Sequence, residues 1–187
     1  MRLSDSRYEY IKLKVVKLFV DYNITCIPID GFALACKMGI TLVAYTSLSS
    51  EKKAFACQVS PDGFYVVSTD GYEYIFYNDA KDYARSNMTI LHEIGHAVLE
   101  HDERVPPEIA EAEEGFFAKY AFSAPPLVHQ FHPSSPEDIT RVFGNSHEAA
   151  VYAYEYYQKW LQYSGVSYKS YELRLVNQFQ QFMKGCG

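Results

Sequence analysis

Apolar residues follow two different patterns along this chain, a mixed one in the first half and a helical one in the second. Behind a capping-box sequence at Ser6, apolar side chains recur every three or four positions and predict a helix that ends near Tyr22. Shorter helical patterns follow. From Asp82 onward the helical period continues, and prolines divide it. The predicted helices after the first one cover residues 30–37, 49–59, 83–101, 108–124, 136–143, 146–163 and 168–184.

Three short segments in the first half have the composition of β-strands. Residues 64–68 and 73–77 are rich in aromatic and β-branched side chains, and the turn pair Asp70-Gly71 between them predicts a hairpin. Residues 40–45 have a similar composition, so we expect them to join the same sheet. The predicted fold class is α+β, mostly helical, with a small antiparallel or mixed sheet in the N-terminal half.

Charge argues against a nucleic-acid partner. The chain has 187 residues, 48% of them hydrophobic, and a formal net charge of −6. A protein that binds a duplex usually presents a basic face. Residues 139–160 resemble a helix-turn-helix, but this segment has no basic recognition face. Only Arg141 and Lys159 are basic, against the acidic residues within it and just before it, which are Glu137, Asp138, Glu148 and Glu155. We therefore expect no direct contact with nucleic acid.

Cysteines and apolar runs suggest the compartment. None of the four cysteines forms a C-x-x-C pair, and the first residues lack the apolar core of a secretory signal. No run approaches the roughly 20 apolar residues of a membrane span. We expect a cytoplasmic protein with free thiols and no membrane partner.

The sequence TILHEIGHAVLEH, Thr89 to His101, contains the candidate chemistry. His92 and His96 are four residues apart, so on a helix they project from one face about one turn apart and can share a metal ion. Glu93 leans toward the same side, where it can take a proton from a water molecule. A Zn²⁺ ion with three protein ligands would supply a Lewis acid and an activated water for peptide hydrolysis. Glu93 would then be the general base.

A third zinc ligand is expected from the acidic segment that follows. Glu111 shares a predicted helix face with Gly115 and Ala118, and these small residues would permit close packing on the helix that carries the histidines. Glu113 lies roughly 200° around the helix from Glu111. Carboxylates in a first turn are also favoured by the helix dipole alone. We favour Glu111 as the ligand and keep Glu113 as the alternative.

The segment FYNDAKDYARSNMTILHEIGHAVLEH, followed by EAEEGFFAKYAFSAPPLV, resembles the ImmA/IrrE metallo-endopeptidases. The usual pattern of that family has an Asn after a strand, an Arg before the helix and then T-x-x-H-E-x-G-H-x-x-L-x-H. Asn78, Arg85 and Thr89 match it here. A second helix of the form E-x-E-A-N-x-F-A follows in the family. The resemblance is specific over residues 74–128 and weaker through the predicted helices beyond.

Two residues depart from the pattern of the second helix. Glu114 stands where a small residue is usual and Gly115 where Asn is usual, so a polar contact that orients a ligand is in question. His101, which trails the second histidine by five positions, can support the metal site or pair with Asp102 or Glu103 at the surface. We expect the surface role for His101.

The resemblance implies that Glu111 holds the Glu position associated with the metal. It also implies a zincin-like metalloprotease domain, placed at residues 1–130, with a helical extension over 131–187 packed on it. The implied function is that of a bacterial or phage zinc protease, which cleaves a helix-turn-helix repressor encoded nearby and so relieves repression. The alternative is a regulatory protein that binds zinc and sequesters the repressor without cutting it.

Overall fold

A computed structural model describes residues 3–101, 105–164 and 167–185. The chain forms two compact units. One runs from Asp30 to Ala118 together with Leu3, and the other contains Ser4–Ile29 and the chain from Lys119 onward. The boundary predicted from the sequence at residue 130 stays a prediction.

The described residues contain nine α-helices, three strands and one 3-10 turn at Tyr45–Ser47. The predicted α+β class, mostly helical with a small mixed sheet in the N-terminal half, is confirmed. In chain order the elements are α1 (Asp5–Asp21), α2 (Gly31–Met38), β1 (Thr41–Ala44), α3 (Ser50–Val59), β2 (Gly63–Val67), β3 (Glu73–Tyr77), α4 (Tyr83–Leu99), α5 (Pro107–Phe122), α6 (Pro125–His129), α7 (Pro136–Phe143), α8 (His147–Ser164) and α9 (Ser170–Gly185).

The sheet of the first unit has the strand order β1-β3-β2. β2 and β3 form the predicted antiparallel hairpin, in which Tyr65 lies opposite Ile75. β1 pairs with β3 in parallel, and the chain between them passes through α3 and β2. Parallel neighbours need such a long connection, because a tight turn joins only antiparallel strands. Ile75, at the centre of the sheet, is fully buried against the apolar face of α4, which includes Ile90 and Leu91.

The helix α4 lies close to the sheet because β2 begins with a glycine. A Cβ atom on Gly63 would lie 2.7 Å from the Thr89 side chain and 2.8 Å from a backbone oxygen of β3. At the start of α4, Asp82 caps the helix by accepting a hydrogen bond from the backbone N–H of Arg85. The Arg85 guanidinium also donates two hydrogen bonds, both 2.7 Å, to the Asp62 carboxylate that precedes β2. These contacts fix the position of α4 on the hairpin.

The second unit is helical. α1 packs on α9, where the rings of Phe19 and Phe179 meet edge to face at 5.9 Å, and α7 packs on α8. Among the described residues, no helix is both long enough and apolar enough to cross a membrane. Cys26, Cys36 and Cys57 form no disulfide among the described residues, and Cys186 lies outside them.

Candidate metal centre

The two histidines of the motif project from one face of α4. The ring centroids of His92 and His96 lie 5.3 Å apart with 73° between the ring planes. Their side chains are 25% and 31% exposed, so both rings face solvent on one side. An ion or a peptide can therefore reach both rings without a conformational change.

Glu111 on α5 completes a set of nitrogen and oxygen donors. Its Oε2 atom lies 3.4 Å from Nε2 of His92, and the carboxylate is 64% exposed. Ligand atoms of His92, His96, Glu111 and Glu114 all lie within 4.8 Å of one another. Two imidazoles and a carboxylate are a donor set that suits zinc, so the residues present fit the predicted metal.

Glu114 is the member of this group that the sequence analysis did not assign. Glu114 follows Glu111 by three residues, so both side chains lie on one face of α5. This spacing is the feature of the sequence from which Glu114 could have been predicted as a member of the group. The Glu114 carboxylate is fully buried, and its Oε1 atom lies 2.7 Å from Nδ1 of His96. Its Oε2 atom has no hydrogen-bond partner among the described residues.

His101 is half-buried and contacts two carboxylates of α5, so the surface role expected for it is wrong. Glu100 has a left-handed backbone conformation with φ of +48°, which ends α4 and turns the chain at His101. The His101 side chain is only 10% exposed, with Nδ1 2.9 Å from Oε1 of Glu114 and Nε2 2.6 Å from Oε2 of Glu113. Pairing of His101 with Asp102 or Glu103 lies outside the described residues.

Glu113 does not reach the group that contains His92 and His96. Its side chain is buried on the His101 side of α5. Glu111 and Glu114, in contrast, face the histidines of α4. Between the two carboxylates left open by the sequence, the contacts therefore favour Glu111 as the ligand candidate.

Gly95 explains why α5 approaches α4 at this point. A Cβ atom on Gly95 would lie 3.4 Å from the Cα atom of Glu114 and 3.2 Å from the Phe117 ring. Gly95 lies between the two turns of α4 that carry the histidines. The missing side chain thus sets the distance from the histidines to the carboxylates of α5.

Glu93 lies behind the histidines and is buried. Its Oε2 atom is 3.7 Å from Nε2 of His96, and the backbone N–H of Tyr65 on β2 donates to its carboxylate. Burial raises the pKa of Glu93 to about 7 in the metal-free protein, even though His96 and the Tyr65 hydrogen bond act in the opposite direction. A carboxylate with a pKa near neutrality beside a cluster of metal-type donors is suited to proton transfer.

The two histidines have different electrostatic environments. Burial lowers the pKa of His92, although Glu111 partly opposes this effect. Burial acts in the same direction on His96, but the hydrogen bond to Glu114 and the surrounding carboxylates outweigh it and raise the pKa of His96. Metal binding requires neutral imidazole, so an incoming ion must displace a proton more often from His96 than from His92.

Asn78 and Arg85, which match the pattern of the resemblance, support the hairpin rather than the donor cluster. The Asn78 side chain donates to the carbonyl oxygen of Pro61 at 2.9 Å and accepts from the backbone N–H of Ala80 at 3.1 Å. Together with the Arg85–Asp62 pair, these bonds hold both ends of the hairpin beside α4. They position Tyr65, whose N–H group contacts Glu93.

Comparison with known proteins gives one match. A family model described as the IrrE N-terminal-like domain, Peptidase M78, matches residues 37–176, about three quarters of the chain. The matched range includes every residue of the cluster described above. No curated protein and no solved structure gave a significant match.

Proposed function

Because the chain belongs to the Peptidase M78 family of IrrE N-terminal-like domains, we propose that it is a zinc-dependent endopeptidase. His92, His96 and Glu111 would hold the zinc ion, and Glu93 would be the general base. The observation that carries this proposal is the convergence of the α4 histidines and the α5 carboxylates within 4.8 Å, with the buried Glu93 adjacent.

The chemistry divides between the metal and the carboxylate of Glu93. When bound, zinc supplies a Lewis acid for the peptide carbonyl and activates a water molecule. The Glu93 carboxylate would accept a proton from the water whose oxygen attacks the carbonyl carbon. The same carboxyl would then give that proton to the leaving amine nitrogen as the C–N bond breaks. The backbone N–H of Tyr65, which donates to Glu93, would hold the carboxylate in place for both transfers.

The candidate ligands are partly exposed to solvent and the candidate base is buried, an arrangement that suits a protein substrate. Glu111 and the two histidines are partly open to solvent, whereas Glu93 is buried behind them. An extended peptide can approach the open side while the base stays shielded from bulk water. The family resemblance supports a helix-turn-helix repressor as that substrate, cleaved in the cytoplasm of a bacterium or in a phage-infected cell.

A second candidate function is that of a regulatory protein that binds zinc and sequesters the repressor without cutting it. The observation that favours this function is the departure from the family pattern at Glu114 and Gly115. The buried Glu114 carboxylate adds a negative charge next to His96. Such a charge strengthens the hold on a cation but weakens its Lewis acidity.

The two functions are separated by an incubation with the repressor encoded nearest to this protein. A peptidase yields defined fragments, and a chelator stops the reaction until zinc is restored. A sequestering protein yields a stable complex with intact repressor, with or without a chelator. Absence of bound zinc in the purified protein, together with no gain of zinc in titration, would contradict both functions.

A further inference from the structure

We propose that Glu114 is a positioning residue, which holds the His96 ring with its proton on Nδ1 so that Nε2 is presented to the metal ion. This inference rests on the proposed function, because it concerns the same metal centre. It assigns a role to the residue that departs from the family pattern.

The contact between Glu114 and His96 determines which ring nitrogen can bind a metal. A neutral imidazole has one N–H group and one lone pair, and an ionised carboxylate only accepts hydrogen bonds. Because Oε1 of Glu114 lies 2.7 Å from Nδ1 of His96, the proton of the neutral ring belongs on Nδ1. The lone pair is then on Nε2, the atom that faces Glu93 at 3.7 Å.

Glu114 is itself held in place from the other side. The His101 ring lies between Glu114 and Glu113, at 2.9 Å and 2.6 Å. Each of the two buried carboxylates therefore has a ring nitrogen of His101 within hydrogen-bond distance. A continuous row of contacts thus runs from Glu113 through His101 and Glu114 to His96.

Such a row matches a general property of metal centres in proteins. A ligating histidine usually donates its other N–H to a carboxylate or carbonyl, and loss of that partner weakens metal binding by about 10- to 100-fold. Burying the Glu114 carboxylate costs free energy, which is offset here by two imidazole contacts. The competing arrangement is direct ligation by Oε2 of Glu114, which has no hydrogen-bond partner within the described part of the chain.

Zinc affinity, measured by competition with a chelator, tests the role of Glu114. We expect Glu114→Ala to weaken zinc binding by about 10- to 100-fold. Glu114→Gln should weaken it less, because the amide oxygen can still accept the Nδ1 proton of His96. The matched control is Glu108→Gln, which alters an exposed carboxylate in the first turn of the same helix, outside the donor group. We expect its zinc affinity to stay within about threefold of the wild type, well inside the effect of losing a ligand's partner.

A nitrogen NMR spectrum of the zinc-loaded wild-type protein, labelled at histidine, gives a readout that a purely structural role would not produce. We expect His96 to coordinate through Nε2 and to show an Nδ1 proton protected from solvent exchange. In Glu114→Ala that protection should be lost. If Glu114→Ala does not fold, as judged by circular dichroism, the wild-type spectrum and Glu114→Gln decide the question.

Three outcomes would overturn the inference. The first is coordination of His96 through Nδ1. The second is a carboxylate carbon shift on zinc binding, in a sample labelled at glutamate, that identifies Glu114 as a ligand. The third is unchanged zinc affinity in a folded Glu114→Ala. In each of these cases the proposed peptidase function stands. Wild-type protein that binds no zinc would instead contradict the proposed function, so the two failures are distinguishable.

Discussion

The Cα atom of Glu114 would lie only 3.4 Å from a Cβ atom placed on Gly95, so the backbones of α4 and α5 come close together at the candidate metal centre. His96 follows Gly95 directly in sequence, and Glu114 contacts it. The geometry of the cluster thus depends on a residue that contributes no ligand. A change at this close approach should affect metal binding more than it affects folding.

Gly95→Ala should therefore lower zinc affinity while leaving stability close to that of the wild type. The added methyl group would lie 3.2 Å from the buried Phe117 ring, so α5 must shift by a few tenths of an ångström. The better helix propensity of Ala, about 1 kcal/mol, opposes the packing cost in the unfolding free energy. We expect a loss of zinc affinity of roughly tenfold, the lower end of the effect of a disturbed outer contact. Calorimetric titration with zinc would measure it.

Gly115→Ala is the matched control on α5. A Cβ atom at Gly115 meets no described heavy atom within 4 Å. We expect the unfolding free energy to rise by up to about 1 kcal/mol, with zinc affinity unchanged. Equal zinc affinity in Gly95→Ala and Gly115→Ala would contradict the proposal that the close approach of α5 to Gly95 sets the geometry of the zinc ligands.

Glu93→Gln should abolish cleavage and leave zinc bound. The amide has nearly the shape of the carboxylate and can still accept from the Tyr65 N–H, but it cannot take a proton from water. Loss of a positioned general base typically lowers the rate by about 10²- to 10⁴-fold. The three donor residues are unchanged, so zinc content by elemental analysis should equal that of the wild type. Fragments formed at the wild-type rate by this variant would rule out Glu93 as the base.

Glu93→Gln should also affect the thermal stability of the metal-free protein. Because burial raises the pKa of Glu93 to about 7, above its ordinary value of 4.5, ionisation of this group opposes folding as pH rises. Glu93→Gln removes that opposition. We expect the metal-free variant to melt at the same temperature as the wild type or higher at pH 8, as measured by circular dichroism. A lower melting temperature would show that the ionised carboxylate stabilises the fold.

Glu111→Gln and Glu113→Gln should have opposite consequences. Glu111 is mostly exposed and touches His92, so its change should reduce zinc affinity by at least about 10- to 100-fold with little effect on stability. Glu113 is buried and lies within hydrogen-bond distance of His101, so its change weakens a buried polar contact and should lower the unfolding free energy by about 1–3 kcal/mol. Chelator competition and urea unfolding of both variants would measure the two effects. Zinc binding lost in Glu113→Gln alone would identify Glu113 as the ligand instead.

Local patterns in the sequence predicted most of the fold. Helix α7 begins and ends where the sequence places it, because Ser135 caps it and Pro136 occupies its first position. The short helix α6 was missed: Pro125 and Pro126 were interpreted as the end of α5, whereas prolines are also favoured in the first turn of a helix. The first helix is capped by Ser4 rather than Ser6, two residues earlier than predicted.

The sequence predicted only part of the candidate site, because the contact between His101 and Glu114 depends on how separate elements pack together. The spacing of His92 and His96 is a local signal, and it places them on one face of α4. The burial of His101 instead requires the left-handed turn at Glu100 and the close approach of α5 to Gly95. The periodicity of apolar residues reveals neither the turn nor the close approach of the two helices, so the contact of His101 with Glu114 could not be predicted.

The contacts of the Glu9 carboxylate lead us to expect that the stability of the second unit depends on pH. The carboxylate accepts hydrogen bonds from Lys12 at 2.8 Å, Lys169 at 2.7 Å and Tyr171 at 2.8 Å, and so ties α1 to the start of α9. Burial acts to raise the pKa of Glu9, but these three bonds outweigh it and lower the pKa to about 2. A pKa below the unfolded value means that Glu9 contributes stability above pH 4.5, and that this contribution is lost as pH falls toward 2.

Glu9→Gln should therefore lower the unfolding free energy at pH 7 and have little effect near pH 2. Since the side chain is 32% exposed, solvent screening limits the expected loss at pH 7 to about 1–2 kcal/mol. Urea unfolding of wild type and variant between pH 2.5 and pH 7 would measure the difference, with Glu155→Gln, an exposed carboxylate on α8, as the control. The difference between wild type and Glu9→Gln should shrink as pH falls, whereas the control should follow the wild-type curve throughout. A difference that stays constant across this range would mean that Glu9 stabilises the unit through packing and not through its charge.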